Sequence, residues 1–255
     1  INAVKKRWRH LEGWRQLGSA WDTLSAWQSL EPGESHAPLP PDLCSAIAVV
    51  ALAWGWVDFA VVLLLGFHCA LRPGEMVALR RRCLVLPSDM LTPLDLGFVV
   101  LEEPKTRKRS ARRQHVKIAG PRLLSFLDAC TAGLSAESPI WGPDGDQAQR
   151  SRRFRLQWNA ILAALRVDSS DATGFVPASV RAGGITWLYQ QTHDLQLIRW
   201  VGRWDAERTM AHYLQELPAA LAVARLPVRV RFRIGQLAKM LPAAIQHART
   251  ARLQR

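Results

Sequence analysis

Two arginines stand in sequence surroundings that suit the binding of a phosphate. Arg72 follows the most apolar stretch of the chain, and Arg181 precedes an alanine and two glycines. A guanidinium is rarely buried without an anionic partner, and glycine lets the backbone of another segment approach closely. Together the two side chains could clamp one phosphate through paired hydrogen bonds. The alternative for each is an ion pair with a nearby carboxylate, which for Arg72 is Glu75.

A segment rich in cations lies between two stretches that have the pattern of β-strands. Residues 97–101 (GFVVL) form a short apolar run, and residues 114–118 (QHVKI) alternate polar and apolar side chains. They predict a β-hairpin with a long tip, residues 102–113. A solvated charge run is the ordinary interpretation of such a tip, but the tip is also well shaped to enter a groove and follow phosphates. Its cations are Lys105, Arg107, Lys108, Arg109, Arg112 and Arg113.

The tyrosines of the chain are Tyr189 and Tyr213, and a tyrosine hydroxyl can act as a nucleophile. Asp205 can cap a helix on which Tyr213, Leu214 and Leu217 share one face. That spacing alone favours a core aromatic. Tyr213 becomes a candidate nucleophile only because of the order along the chain, in which it comes after Arg72, the cationic segment and Arg181.

Helices must position most of these side chains, because helical periodicity dominates the rest of the sequence. The fold class that this predicts is mainly α with a small antiparallel β-sheet (α+β). Helices are expected over residues 1–31 as a Trp-rich amphipathic pair, over 42–85 as two or three apolar helices, over 121–130, from about residue 151, after Pro177, and after the caps Asp194 and Asp205.

Composition divides the chain into three parts. Residues 31–41 (EPGESHAPLPP) are rich in Pro, Gly and Ser, which predicts a linker. The expected parts are residues 1–37, residues 38–217 and a basic tail, residues 218–255. Within the tail, the alternation in VRVRFR (228–233) predicts a short strand, and a helix is expected after it.

The chain is strongly cationic: 34 Lys and Arg against 21 Asp and Glu give a net charge of +13 and a pI near 10.7. Such a surface attracts polyanions, nucleic acid before a membrane surface. Residues 46–65 are almost long enough to span a bilayer, but Gly55 and Asp58 interrupt them, so two buried helices explain them better. The cysteines lack zinc-ligand spacing, and we therefore expect reduced thiols, no metal and an intracellular protein.

Four short motifs, in order, give the sequence a resemblance to a known family. They are ALRPGEMVALR (70–80), EEPKT (102–106), SVRAGGITWLYQ (179–190) and LIRWVGRWDAERTMAHYLQEL (197–217). They resemble the first arginine box, the lysine hairpin, the second arginine box and the terminal box of the tyrosine recombinases of the phage-integrase type. The resemblance covers about residues 38–217. The tripeptide Gly-Arg-Trp at residues 202–204 is also similar to the sequence of recombinases carried by eukaryotic mobile elements.

The resemblance implies the tyrosine-recombinase catalytic-domain fold and a mechanism. Tyr213 would attack a scissile phosphate of DNA and form a 3′-phosphotyrosyl link, while Arg72 and Arg181 stabilise the charge that develops on the phosphate. Lys105 would protonate the leaving 5′-oxygen. Trp204 stands nine residues before Tyr213, where the family has His or Trp. Strand exchange of this kind needs no cofactor, metal or nucleotide.

Ala178 departs from the family pattern, which has His or sometimes Lys three residues before the second arginine. An alanine side chain cannot donate, accept or carry a proton. The resemblance therefore implies an enzyme with reduced activity, and the alternative is a recombinase-fold DNA-binding protein whose chemistry has decayed. A type IB topoisomerase is a close mechanistic relative. Gly-Arg-Trp at residues 202–204, where Gly-His or Gly-Trp is commoner, is a smaller departure.

The resemblance also implies partners and a location. The partner is double-stranded DNA, to which the tip cations other than Lys105 would bind, and the chain would form a homo-oligomer on it, a tetramer in the family. No membrane is involved. Residues 1–37 would be the remnant of an N-terminal helical DNA-clamping domain and its linker, and residues 38–217 the catalytic domain. The tail, residues 218–255, would dock on a neighbouring protomer or fold back on its own domain. The expected location is with the DNA, in the nucleus if the source is eukaryotic.

Overall fold

A computed structural model of the chain describes residues 18–30, 36–90, 95–101, 114–143, 145–170, 174–204, 214 and 216–254. The chain divides into two compact units, Ile1–Ser35 and His36–Arg255. In the first unit, Gly18–Leu30 forms helix α1, within the range where helices are predicted.

The second unit is mostly helical with one small sheet, as the sequence predicts. Its helices pack around a shared apolar core, and short 3₁₀ turns flank the first strand. The helices are α2 (Pro41–Ala53), α3 (Val57–His68), α4 (Pro73–Ala78), α5 (Pro121–Thr131), α6 (Gln147–Leu165), α7 (Ser179–Thr192), α8 (Leu195–Gly202), α9 (Glu216–Ala224) and α10 (Val228–Leu253). The strands are β1 (Leu84–Val85), β2 (Leu96–Leu101) and β3 (Gln114–Ala119).

The sheet is antiparallel, in the order β1-β2-β3. Leu96 pairs with Ala119, and Leu101 pairs with Gln114, so β2 and β3 form the predicted hairpin. Buried and exposed residues alternate along β3, because successive side chains point to opposite faces of a sheet. Helix α5 packs on the sheet. The tip of the hairpin, residues 102–113, lies outside the described residues.

Helix α3 forms the centre of the second unit. It is buried from Phe59 to Phe67 and contacts α2, α4, α5 and α7. Gly55, at φ 76°, lies in the turn that separates α2 from α3, which accounts for the break in the apolar stretch. No helix in the described part of the chain is both long and apolar enough to cross a membrane.

The predicted short strand at residues 228–233 is wrong, because these residues begin helix α10. In a strand Val228, Val230 and Phe232 would share one face. In the helix Val230 and Ile234, four residues apart, are buried instead, while Val228 and Phe232 are exposed. Helix α10 packs along α2 and α5, so burial against these neighbours decides the local structure.

Candidate functional site

Helix α7 carries Arg181 into the core because two glycines let the helix approach its neighbours closely. A Cβ on Gly183 would lie 2.1 Å from the carbonyl oxygen of Leu39, and a Cβ on Gly184 would lie 1.9 Å from that of Phe67. No larger residue fits without a shift of the backbone. The glycines therefore fix the depth of α7, and Arg181 is left only 2% exposed.

The Arg181 guanidinium joins two segments that are distant in the sequence. Its Nη1 donates to the carbonyl oxygen of Ala70, just before α4, and its Nη2 donates to that of Gly202, at the end of α8, over 2.6 Å. The carbon at its centre lies 5.2 Å from the centroid of the Trp204 ring. Cation–π attraction and the two hydrogen bonds thus hold Arg181 beside Trp204.

Gly202 is needed for the position of the Trp204 ring. A Cβ on Gly202 would lie 2.2 Å from ring carbons of Trp204. The indole is buried, and the Trp204 carbonyl accepts a hydrogen bond from Nε of Arg199 over 3.1 Å. Asp194 caps α8 as predicted, accepting from the backbone N–H groups of Gln196 and Leu197 over 2.9 Å.

Arg72 lies at the N-terminus of α4 and forms the ion pair that the sequence offers as its alternative. Its Nη1 donates to Oε1 of Glu75 over 2.9 Å, and its backbone N–H donates to Oε2 over 2.8 Å. The Arg72 side chain is nevertheless 24% exposed. The ion pair therefore orients the guanidinium, while part of the Arg72 side chain stays accessible to solvent.

Arg203 is the site residue that the motif comparison misses. Its Nη2 donates to Oε2 of Glu75 over 2.9 Å and to the carbonyl oxygen of Ala70 over 3.2 Å. Its side chain is only 4% exposed. Arg203 thus shares Glu75 with Arg72 and shares Ala70 with Arg181. The sequence signal was the arginine in Gly-Arg-Trp, directly after the glycine that ends α8.

Arg72, Arg181, Arg203, Glu75 and Trp204 are hereafter the arginine cluster. Burial alone would raise the pKa of Glu75, but the charges of Arg203 and Arg72 and the hydrogen bonds from Arg72 hold that pKa below its ordinary value. Glu75 is therefore ionised at neutral pH. Glu75 contacts the guanidinium groups of Arg72 and Arg203, and Arg181 adds a third cation, so the cluster has an excess of positive charge that suits an anion.

The end of the hairpin strands nearest the tip lies close to α8, which leads into the arginine cluster. The ring of His115 on β3 lies 5.9 Å from the ring of Trp200 on α8 and 6.0 Å from that of Phe98 on β2. The end of β3 that follows residues 102–113 therefore lies near α8. The predicted site residues of that segment are outside the described residues: Lys105, Arg107, Lys108, Arg109, Arg112 and Arg113.

Tyr213 also lies outside the described residues, and so does most of the helix predicted after Asp205. Leu214, the next residue, is half-buried and packs against the core. At the end of the predicted helix, Glu216 and Leu217 begin α9, where Leu217 is exposed. Tyr189 is half-buried on α7, where its ring lies 5.6 Å from that of His193. It follows Arg181 by eight residues, or about 12 Å along the helix axis at a rise of ~1.5 Å per residue. Tyr189 is thus displaced along α7 from the arginine cluster.

Ala178 precedes the first residue of α7 and is exposed. Its methyl group adds no donor or charge to the N-terminal end of the helix that carries Arg181. The structure therefore brings together Arg72, Arg181 and Trp204 from the predicted set and adds Arg203 to them.

No protein-family model matches this chain, and neither a curated protein nor a solved structure is significantly similar to it.

Proposed function

We propose that this chain is the catalytic domain of a tyrosine recombinase of the phage-integrase type, which cuts and rejoins double-stranded DNA through a 3′-phosphotyrosyl intermediate. The observation that supports this most is the arginine cluster. Three separate motifs contribute to it: the first supplies Arg72, another supplies Arg181, and the last supplies Trp204, just after α8. Hydrogen bonds, an ion pair and a cation–π contact join these residues into one network. The mostly helical fold with a three-stranded antiparallel sheet supports it at a coarser level.

The reaction is a transesterification. The Tyr213 hydroxyl releases its proton to water as its oxygen bonds to phosphorus, and the bond from phosphorus to the 5′-oxygen breaks. Lys105 gives a proton to that 5′-oxygen, a contribution that is typically worth about 10²–10⁴-fold in rate. Attack by another 5′-hydroxyl on the phosphotyrosyl bond then rejoins DNA and releases Tyr213. One phosphoester bond replaces another at each step, so no nucleotide is consumed.

The arginine cluster stabilises the charge on the phosphate oxygens during this exchange. Its guanidinium groups are held in place before DNA arrives, so little reorganisation is needed at the moment of reaction. Arg72 is the partly exposed member, whereas Arg181 is 2% exposed. Arg72 is therefore the member of the cluster that a phosphate meets first.

A second candidate is a DNA-binding protein of the same fold without the chemistry. Ala178 favours it, because the exposed methyl group at the start of α7 leaves the position of the family's His or Lys without a proton donor. Both candidates bind double-stranded DNA, assemble as homo-oligomers on it and work where the DNA is, but only the enzyme forms a covalent bond to it.

Trapping of a covalent adduct separates the two candidates. Nicked duplexes of randomised sequence lose a short strand after cleavage, so the phosphotyrosyl link cannot be reversed. The enzyme yields a protein–DNA band on a denaturing gel, with a 3′-linked strand and a free 5′-hydroxyl that a kinase can label. DNA binding without any such band would contradict the proposed enzyme and favour the binding protein.

A control variant keeps the adduct test specific. Arg82→Met removes an exposed arginine that pairs with Glu137 and not with Glu75, and it should leave adduct formation unchanged. Arg181→Met removes the hydrogen bonds to Ala70 and Gly202 and should abolish the adduct.

A further inference from the structure

Arg203 occupies a backbone position at which an arginine is unfavourable. It ends α8 in the left-handed conformation, at φ 56° and ψ 49°. Glycine is the usual residue at such a helix end, because a Cβ there comes too close to the following carbonyl oxygen. Glycine is available one position earlier, at Gly202, but it serves the contact with the Trp204 ring. The chain thus accepts a conformational cost to have an arginine side chain at residue 203.

The burial of the guanidinium adds a second cost. Nη2 of Arg203 is hydrogen-bonded to Glu75 and Ala70, but Nε and Nη1 are buried and have no hydrogen-bond partner among the described residues. Buried donors without acceptors destabilise a folded protein. Features that break local rules in this way concentrate at functional sites, where a ligand completes them.

The position of Arg203 indicates which ligand would complete it. Arg203 reaches the same carboxylate as Arg72 and the same carbonyl oxygen as Arg181, so its guanidinium lies among theirs. The one carboxylate leaves the cluster with positive charge in excess. The ligand with the matching chemistry is a tetrahedral oxyanion, whose oxygens accept hydrogen bonds and carry the opposite charge.

We propose that Arg203 is a third phosphate-binding residue of the site, which donates from Nε and Nη1 to the phosphate that Arg72 and Arg181 also bind. This inference rests on the proposed function, because the phosphate is the scissile phosphate of DNA. A third guanidinium supplies the positive charge that Ala178 does not contribute.

Inorganic phosphate is the probe for this site, and calorimetry on the full chain gives its affinity. Arg203→Met keeps much of the side-chain volume without the charge and should weaken phosphate binding at least tenfold. Arg203→Gly removes the side chain and relieves the strain of the left-handed conformation, and it should show the same loss of phosphate affinity. The Gly variant therefore provides the test even if Arg203→Met does not fold. Arg82→Met is the matched control, since it removes an exposed arginine from another pair, and it should bind phosphate as the unmodified chain does.

Nuclear magnetic resonance adds a readout that a purely structural arginine would not move. The Nε–H resonance of Arg203, assigned by its loss in Arg203→Met, should shift as phosphate is added. An unmoved resonance in a chain that binds phosphate would overturn the inference. So would equal phosphate affinity in Arg203→Met and the unmodified chain, or no phosphate binding by the unmodified chain.

The failure of this inference can be told from the failure of the proposed function. A chain that binds phosphate through Arg203 but never forms a covalent adduct would refute the enzyme and support the phosphate site. An Arg203→Met chain that forms the adduct at the unmodified rate would refute the role of Arg203 and support the enzyme.

Discussion

Glu75 is the residue on which the arginine cluster depends, because its two carboxylate oxygens accept from both Arg72 and Arg203. It is also the anion that offsets part of the charge of three guanidinium groups. Its side chain is only 11% exposed, so water cannot replace it. Removal of its charge leaves buried cations without compensation, which is more costly than the loss of an exposed ion pair.

Glu75→Gln should destabilise the chain by about 3 kcal/mol at pH 7, since breaking a buried pair from one side is strongly unfavourable. Urea unfolding of the two chains measures the difference. Glu137→Gln is the matched control: the Glu137 side chain is 69% exposed where it pairs with Arg82, and its loss should cost less than ~1 kcal/mol. Equal losses in the two variants would contradict the role given to Glu75.

The same carboxylate makes the stability depend on pH in the acid range. Its pKa is lower in the folded chain than in the unfolded chain, where a glutamate titrates near ~4.3. The stabilisation that ionised Glu75 contributes is therefore complete above the pKa of the unfolded chain. It is lost as the pH falls through the lowered pKa of Glu75 in the folded chain. Consequently, the difference in stability between the original chain and Glu75→Gln should begin to narrow below about pH 4 and narrow further as the pH falls. A gap that stays constant down to pH 3 would show that Glu75 is not the titrating group.

Sequence identified some members of the cluster, and their function remains a prediction. Arg72 and Arg181 were predicted from their neighbours, and Trp204 only from the resemblance to the tyrosine recombinases, in which a His or Trp stands nine residues before the nucleophile. Arg203 was missed because its importance lies in a backbone angle and in contacts with Glu75 and Ala70, none of which has a sequence pattern. Lys105 and Tyr213 remain predictions.

Among the elements, α7 has the tightest packing requirement. Gly184 lies against the backbone of Phe67, and backbone cannot rotate away from an added Cβ as a flexible side chain can. The approach of α7 to α3 sets the depth of Arg181, so this contact links the core to the site.

Gly184→Ala should destabilise the chain by about 1–3 kcal/mol, as expected for an added carbon in a packed core. Gly235→Ala is the opposite case: Gly235 lies inside α10 and has open space where its Cβ would be. Alanine should stabilise that helix by about 0.5–1 kcal/mol. Thermal unfolding of both variants checks the pair, and a tolerated Gly184→Ala would mean that α7 can shift without loss.

Most elements followed from periodicity, because apolar side chains recur at the spacing of the buried face. The hairpin followed from the short apolar run at residues 97–101 and the alternation at residues 114–118. The alternation of VRVRFR failed as a predictor since it also fits a helix that buries Val230 and Ile234. Contacts of α10 with α2 and α5, made far along the chain, decide between the two structures.

Across the whole molecule, the basic tail is part of the second unit. Helix α10 packs on α2, α5 and α6 and buries Val230, Ile234, Ile245 and Ala248. This is the arrangement expected of a tail that folds back on its own domain.

If the chain binds DNA as proposed, its net charge of +13 should make that binding strongly dependent on salt. Each phosphate contact releases counterions, so with ~6–10 contacts the affinity should fall about 10³–10⁵-fold between 50 and 200 mM salt. Replacement of one tip cation, as in Lys108→Gln, should lower the salt slope by about 1. Fluorescence anisotropy with labelled duplex measures both slopes. A flat salt response would contradict DNA as the partner.

The central claim is that Tyr213 becomes covalently joined to DNA, and a matched pair of tyrosine variants tests it most directly. Each variant is mixed with the nicked duplexes of randomised sequence, and the nuclease-digested adduct is mapped by mass spectrometry. Tyr213→Phe should abolish the adduct, whereas Tyr189→Phe should retain it with the phosphotyrosine on residue 213. An adduct that survives Tyr213→Phe, or that disappears with Tyr189→Phe, would contradict the account.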